Sequence, residues 1–390
     1  MRILTFLHSF EPGGVERIAL RLVRQWRLLD ADAPLFLGRS DGDMLEDVGA
    51  ELDFLSPPHA GWRAANLEML WMIWVLPGVV RTLRPDILFC AGNTYAVVAV
   101  ALKLWLGRDC PPVPLKVSND LDRHDKPAWF RFFYGVWLKV QGRYLDHFIG
   151  METPMSSEIR ERLCVSDDRV TIIPDPALSQ ALIERLRAGR QVGRNDRAGR
   201  RFVCVGRLMP QKNISLLLRA FRRGAGEGDT LTIIGDGPER GKLEQLSRDL
   251  ELEGQVIFRG YMPEPAALLP SFDALLLSSN YEGVPAVVLE ALAAGLPIVA
   301  TDCSRSMATL LGHGALGELV PMGDEQALAD AIARTRPSSQ DEQLSLAQAR
   351  RFTLEEASEA YLRVMSELVR RCEDARGGGE RAGASTPRPL

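Results

Sequence analysis

A chain of 390 residues is long enough for two or three domains, each with a sizeable core. With 46% apolar and 25% charged residues the composition is that of a soluble globular protein, and a formal net charge of −4 argues against a general nucleic-acid binder. The six cysteines (90, 110, 164, 204, 303 and 372) form no C-x-x-C pair and no metal-type cluster with histidine, which suits reduced thiols in a cytoplasmic protein.

No secretory signal is expected: Ile3–Leu7 is too short for one and reads as part of a first strand, Arg2–Leu7. A helix over 14–29, a strand over 34–37, a helix within 65–83, a strand over 86–90, a helix over 95–106 and strands over 114–117 and 147–150 follow. The very apolar run Met69–Leu76 is ended by Pro77-Gly78, short of a membrane span, and reads as a core helix. Residues 177–200 read as a linker. Arginines 185, 187, 190, 194, 197, 200 and 201, with glycines between, suggest an exposed loop that is either simply solvated or in contact with anionic lipid or acceptor. Beyond it, strands over 202–205, 230–234, 255–258, 273–277 and 297–300 alternate with helices over 214–223, 238–250, 264–270 and 285–295; helices over 324–334 and 353–371 close the pattern. Alternation at this spacing predicts an α/β protein with parallel sheets and right-handed crossovers. The tail from 373, with Gly377–Gly379 and Pro387-Arg388-Pro389, reads as disordered.

Two loops carry chemistry. In the first, the apolar strand Ala274–Leu277 and Ser278-Ser279-Asn280 lead to Glu282-Gly283-Val284-Pro285 and a helix containing Glu290. Pro285 suits a first helical turn, and backbone N–H groups at a helix N-terminus bind phosphate. Glu282 then lies beside an anion site, with Glu290 about 7–8 Å along the helix axis. The two carboxylates can reach hydroxyls on either side of a diphosphate. The plainer alternative is a strand-to-helix turn with two solvated glutamates. In the second loop, the strand Phe202–Val205 runs into Gly206-Arg207-Leu208-Met209-Pro210-Gln211-Lys212-Asn213 and a helix. Glycine at a strand end lets a ligand approach the backbone. Arg207 and Lys212 place two cations at the carboxyl edge of the sheet, where open α/β sheets take ligands; by themselves they also read as ordinary surface cations. The two loops in one domain point to a sugar-nucleotide site.

These motifs, Gly206-Arg207 with Lys212 and Glu282-x7-Glu290, resemble retaining glycosyltransferase family 4, the group 1 glycosyl transferases. Further similarities are Ile233-Ile234-Gly235-Asp236-Gly237-Pro238, Val256–Tyr261, the glycine loop Pro12-Gly13-Gly14-Val15-Glu16 and the interdomain segment Ile172–Pro176. The resemblance covers most of residues 1–370 and is weakest between 40 and 170. It implies a GT-B fold: two Rossmann-like domains whose parallel sheets face each other across a cleft. The expected division is an acceptor-binding domain at 1–176, a linker at 177–200, a nucleotide-sugar-binding domain at 201–350, a helix at 351–372 crossing back to the first domain, and a disordered tail at 373–390. It also implies transfer of a hexose-type sugar from a nucleotide diphosphate sugar, UDP- or GDP-linked, to a glycan or lipid-linked acceptor in bacterial surface polysaccharide synthesis. Arg207 and Lys212 would stabilise the leaving diphosphate, assisted by the amides of Gly283 and Val284. Glu290 would hold the ribose and Glu282 the transferred sugar. Gly206, and Gly13 and Gly14 from the facing domain, would approach the donor. Tyr261 either flanks the base or is structural.

Many family members carry a histidine after a strand of the first domain. Here the stretch is Lys116–His124: His124 falls late, Asn119 or Asp120 fills the slot, and Asp120 also reads as a helix N-cap. His8 is either near the cleft or a packed strand-end residue, and Glu16 and Arg17 read as first-turn helix charges. Front-side attack, with the leaving phosphate taking the acceptor's proton, needs no protein base. The Asp-x-Asp triplets at Asp30/Asp32, Asp41/Asp43 and Asp120/Asp122 lie outside the carboxyl-half site, so the expectation is catalysis without metal or other cofactor, with Arg and Lys in the ion's place. Residues 123–144 interleave Arg123, Lys126, Arg131, Lys139 and Arg143 with Trp129, Phe130, Phe132, Phe133, Tyr134, Trp137 and Tyr144. Such a helix either lies at a lipid interface, placing the protein at the inner face of the cell membrane, or packs its aromatics into the first domain. Two other functions compete with this one. A dinucleotide oxidoreductase is disfavoured because Arg240 stands where the third glycine of a Gly-x-Gly fingerprint belongs. A non-catalytic nucleotide-sugar-binding scaffold is disfavoured because all four charged groups persist.

Overall fold

The structure, a computed structural model, describes residues 1–11, 13–42, 44–45, 52–56, 65–123, 126–192, 199–336 and 341–382. In the first half the order is β1 (Ile3–Leu7), α1 (Gly14–Leu28), β2 (Leu35–Leu37), β3 (Phe54–Leu55), α2 (Ala65–Leu83), β4 (Ile87–Phe89), α3 (Ala96–Leu106), β5 (Pro114–Lys116), α4 (Ala128–Tyr144), β6 (His147–Gly150), α5 (Met155–Leu163) and β7 (Val170–Ile172). The second half runs α6 (Gln180–Val192), β8 (Arg201–Val205), α7 (Ile214–Gly224), β9 (Thr230–Ile234), α8 (Arg240–Asp249), β10 (Val256–Gly260), β11 (Ala274–Leu277), α9 (Ala286–Ala294), β12 (Ile298–Thr301), α10 (Met307–Leu310), β13 (Glu318–Val320), α11 (Glu325–Arg334), α12 (Glu342–Arg350) and α13 (Leu354–Ala382).

Among the described residues every pairing of strands is parallel, apart from an isolated antiparallel bridge between Gly235 and Gly260. In the first lobe the order β3-β2-β1-β4 continues into β5-β6-β7 through hydrogen bonds at Cys90; in the second it is β10-β9-β8-β11-β12-β13. Strands β1, β11 and β12 are buried along their whole length, the expected state of a parallel strand covered by helices on both faces. Helices α1 and α7 show why: each sets a stripe such as Ile18, Leu22 and Trp26, or Leu217, Leu218 and Phe221, against its sheet. Cys204 is core, as expected.

Three expectations need correction. The expected linker holds α6, whose Ile183 and Leu186 are buried; their spacing is hidden in the sequence among arginines, of which Arg190 donates to the Phe272 carbonyl. Helix α2 runs through Pro77 to Leu83 and exposes Leu70 and Trp74, so it is not a simple core helix. Helix α13 continues past 372 to Ala382, so part of the expected disordered tail is helical; residues 383–390 lie outside the described residues.

The chain crosses between lobes twice, side by side. Leu178 N donates to Phe352 O (3.1 Å) and Leu354 N to Leu178 O (2.8 Å). From there α13 packs on α1, where Trp26, Phe89 and Tyr361 meet edge to face. Among the described residues no helix is long and apolar enough to cross a membrane.

Candidate active site

In the second lobe, the loops after β8 and β11 are clamped together. Ser278 Oγ donates to Lys212 O (2.8 Å), Asn280 N to Gln211 O (2.8 Å), Gln211 Nε2 to Tyr281 O (3.0 Å) and Asn213 Nδ2 to Asn280 Oδ1 (3.0 Å). The clamp brings Lys212 Nζ to 2.6 Å from Glu282 Oε1, which also accepts from Ser279 Oγ at 2.7 Å. Burial works against the Lys212 charge, but Glu282 outweighs it, and the amine is held above its ordinary pKa. The Lys212 stem lies over Gly206, whose added Cβ would sit 3.1 Å from its Cε. Gly235 (φ +142°) closes the same edge: a Cβ there would stand 2.0 Å from Gly206 O.

Pro285 occupies the N-cap of α9, not the first helical turn, so α9 begins at Ala286. Gly283 and Val284 precede the helix at its amide end. Gly283 is also where the lobes touch: an added Cβ would lie 2.6 Å from Ser118 O and 3.0 Å from Asn119 Cα. Glu290, in the second turn of α9, is the acidic residue of a helix otherwise built of apolar side chains. Burial pushes its carboxyl up to about 7; opposing that, the charges acting on it are Arg21 and Arg17 of α1, in the facing lobe. Arg17 Nη1 reaches Pro263 O at 3.5 Å, two residues past Tyr261, and Arg21 Nη1 reaches Ala177 O at 2.9 Å.

Not every expected residue joins this cluster. Arg207 is exposed and makes no ion pair among the described residues, and Tyr261 is 40% exposed. His124 lies outside the described residues. Asp120 does not cap a helix: its Oδ2 accepts from the backbone N of Arg305 in the second lobe (2.8 Å), Oδ1 is buried without a partner among the described residues, and burial raises its carboxyl to about 7. Around this contact the Arg305 guanidinium lies 3.6 Å from Glu158, and Arg123 stacks 4.2 Å from the Tyr281 ring centre. Gly13 is the N-cap of α1, and a Cβ on it would collide with Glu16 Oε2 at 1.9 Å; Gly14 has open space. Glu16 and Arg17 lie in the first turn of α1, as expected, and both have partners: Glu16 accepts from buried Tyr95, which also contacts His8, and Arg17 crosses the cleft. Among the described residues no three His, Cys, Asp or Glu side chains are grouped to hold a metal ion.

Ser278, Ser279 and Arg17 appear in the sequence without a site role, and Arg21, Tyr95 and Arg305 are not singled out there. The polar run 278–280 at a strand end and the four-residue spacing of Arg17 and Arg21 were available signals. The sequence does not show which facing lobe those arginines meet.

Residues 13–176 match the glycosyl transferase 4-like domain and residues 199–336 the glycosyl transferases group 1 domain. The lipopolysaccharide 1,6-galactosyltransferase of Escherichia coli K12 is 31% identical over 326 residues, covering 80% of this chain and 82% of that protein. An exopolysaccharide phosphotransferase of Streptomyces coelicolor is 30% identical over 281 residues, 69% of this chain, but the match spans only 28% of that protein. In fold, the chain is similar to Anabaena HepE, solved in complex with UDP-glucose: TM-score 0.72 and 20% identity over 94% of this chain and 100% of that one. With matches in both halves, a relative aligned over four-fifths of its length and two parallel α/β sheets, the chain belongs to the group 1 glycosyl transferases of glycosyltransferase family 4, with the GT-B fold.

Proposed function

We propose that this protein transfers a hexose-type sugar from a nucleotide diphosphate sugar to a glycan or lipid-linked acceptor, with retention of configuration and without a metal ion, in bacterial surface polysaccharide synthesis. The observation that carries the reading is the Lys212–Glu282 pair, set at the carboxyl edge of the second sheet and beside the amide end of α9, where Gly283 meets the first lobe. The relatives' names support the pathway: the aligned Escherichia coli protein is a lipopolysaccharide galactosyltransferase. HepE's complex with UDP-glucose supports a UDP-linked donor, with GDP the alternative.

Charge grows on the diphosphate as the anomeric bond breaks. In this reading Lys212 and the amides ahead of α9 stabilise it, each donor being worth about 10²–10³ in rate, and Arg207, exposed on the same loop, would turn toward the diphosphate to join them. Glu282 keeps Oε2 free of hydrogen bonds among the described residues and holds a hydroxyl of the transferred sugar; Glu290 holds the ribose. The leaving phosphate takes the acceptor's proton. Turnover of UDP-glucose, UDP-galactose and GDP-mannose tests this: the wild type releases nucleotide from one of them and Lys212→Ala falls by at least about 10². Equal turnover by both proteins refutes the assignment.

A peripheral membrane contact belongs to the same proposal. On α4, Trp129, Phe132, Phe133 and Val136 are exposed, while Leu138, Gln141 and Gly142 face the lobe. The adjoining helices α3 and α2 add exposed Leu104, Trp105, Leu70 and Trp74. An apolar surface of this kind, with basic residues between, suits a lipid interface.

A further inference from the structure

The carboxyl end of β1 carries a polar cluster that the donor chemistry does not use. His8 Nδ1 lies 2.5 Å from the Tyr95 hydroxyl oxygen, and the His8 backbone N–H points at the same atom from 3.4 Å. The Tyr95 hydroxyl donates to Glu16 Oε1 at 2.7 Å. Tyrosine has one proton and an ionised carboxylate only accepts. The Tyr95 proton therefore goes to Glu16, its oxygen accepts from His8, and Nδ1 carries the ring hydrogen. In the neutral ring that leaves Nε2 as a bare acceptor.

Nε2 stands 3.6 Å from Glu11 Oε2, too far for a direct hydrogen bond and close enough for neighbouring hydroxyls to take one acceptor each. The other Glu11 oxygen is held by Arg39 at 2.5 Å, and Arg39 is anchored in turn by buried Glu68 at 3.1 Å. The His8 side chain is 20% exposed and that of Glu11 57%, so the pair opens to solvent at the carboxyl edge of the first sheet. Acids outnumber Arg39 in this cluster, so it repels a phosphorylated or carboxylated ring.

Resting on the transferase reading, we propose that His8 and Glu11 form the subsite for an uncharged acceptor sugar, accepting hydrogen bonds from neighbouring ring hydroxyls. Tyr95, Glu16 and Arg39 act as positioning residues: Tyr95 and Glu16 fix the imidazole tautomer, and Arg39 fixes the Glu11 carboxylate. The subsite lies in the first lobe, and α1 joins it to the donor half, since its first turn carries Glu16 beside Arg17.

The test is saturation-transfer NMR of methyl α-D-glucopyranoside and methyl α-D-galactopyranoside on the full chain loaded with UDP, with the UDP-induced rise in Tm measured on the same samples. Wild type gives a glycoside signal. His8→Ala and Glu11→Gln each weaken glycoside binding by about tenfold, the loss of one good hydrogen bond, and keep the UDP-induced rise. His8→Gln, which returns an acceptor near the Nε2 position, recovers part of the signal. Tyr95→Phe weakens glycoside binding although the hydroxyl never touches the ligand. No glycoside signal from wild type, or undiminished signals from His8→Ala and Glu11→Gln, overturns the subsite. Absence of any Tm rise with UDP, GDP or ADP in wild type overturns the donor reading on which it rests.

Discussion

If Glu290 grips the ribose as a carboxylate, nucleotide-sugar affinity must follow its ionisation. Burial moves that carboxyl up to about 7, against the pull of Arg21 and Arg17. With a midpoint there, about nine in ten molecules are ionised at pH 8 and about one in eleven at pH 6. Apparent affinity scales with the competent fraction, so the Kd rises about tenfold between pH 8 and pH 6, about 1.4 kcal/mol. Stability changes in the opposite sense. The folded state holds this proton between 4.5 and about 7, where the unfolded chain has lost it, so the group's contribution to stability is greatest at low pH and declines as pH rises through that window. Acid should therefore strengthen the fold through Glu290 while weakening donor binding. Isothermal titration with UDP-glucose is the suitable assay, because its diphosphate is fully esterified, whereas free UDP has a terminal phosphate that titrates near pH 6. Glu290→Gln should bind weakly with little pH dependence. Arg21→Met should move the midpoint upward, since it removes the larger opposing charge. A wild-type Kd that is flat from pH 6 to 8, or an undiminished slope in Glu290→Gln, refutes the reasoning.

Lys212→Met leaves the Glu282 carboxylate buried beside Ser279 without its cation, a loss of about 3–5 kcal/mol; chemical denaturation should show it, and adding Glu282→Gln should recover most of it. Tyr361→Phe is expected to be neutral or stabilising, because the hydroxyl is buried with no partner among the described residues and such a group costs about 1–3 kcal/mol. A calorimetric loss of about 1 kcal/mol or more in that variant would show that the hydroxyl is satisfied. Replacing Trp129 and Phe133 by glutamate should abolish flotation with anionic liposomes without lowering Tm, since both side chains are exposed; equal flotation of the two proteins removes the membrane contact.

The alternation of strands and helices, and the second-lobe motifs, were readable because parallel strands and amphipathic helices write strong periodicities, and because Gly206, Lys212, Glu282 and Glu290 sit at fixed offsets from strand ends. Helix α6 was hidden because its arginines bind main-chain carbonyls, as Arg190 does with Phe272 O, and so are structural cations in a segment of loop-like composition. Asp120 was misread as a cap because its partner, the amide of Arg305, is 185 positions away in sequence. The short strands β3 and β7 are only partly buried, so they write a weaker apolar signal than the fully buried three-residue strands β2, β4 and β5. What local sequence cannot encode is the partner across the cleft: Arg17 and Arg21 look like solvent-facing residues of α1 until the second lobe is placed opposite.

The two sites at which the lobes meet differ in chemistry. At the crossover, Ala177, Leu178, Ile183, Phe352 and Tyr361 belong to one apolar core that runs from the first sheet into α9. Separating them would expose apolar surface at about 25 cal/mol per Å². At the cleft rim the contacts are polar: the Asp120 carboxylate on an amide, Arg123 over Tyr281, Arg17 on the Pro263 carbonyl. Each of these exchanges readily for water, at a net cost of about 0.5–1.5 kcal/mol for a hydrogen bond. Parting the lobes therefore costs less at the rim than at the crossover, so the crossover is the natural pivot for any opening. Arg17, which reaches across at the rim, is one of the two charges that favour the ionised form of Glu290, so parting the lobes there would raise that carboxyl further and weaken any grip on a ribose that depends on its charge.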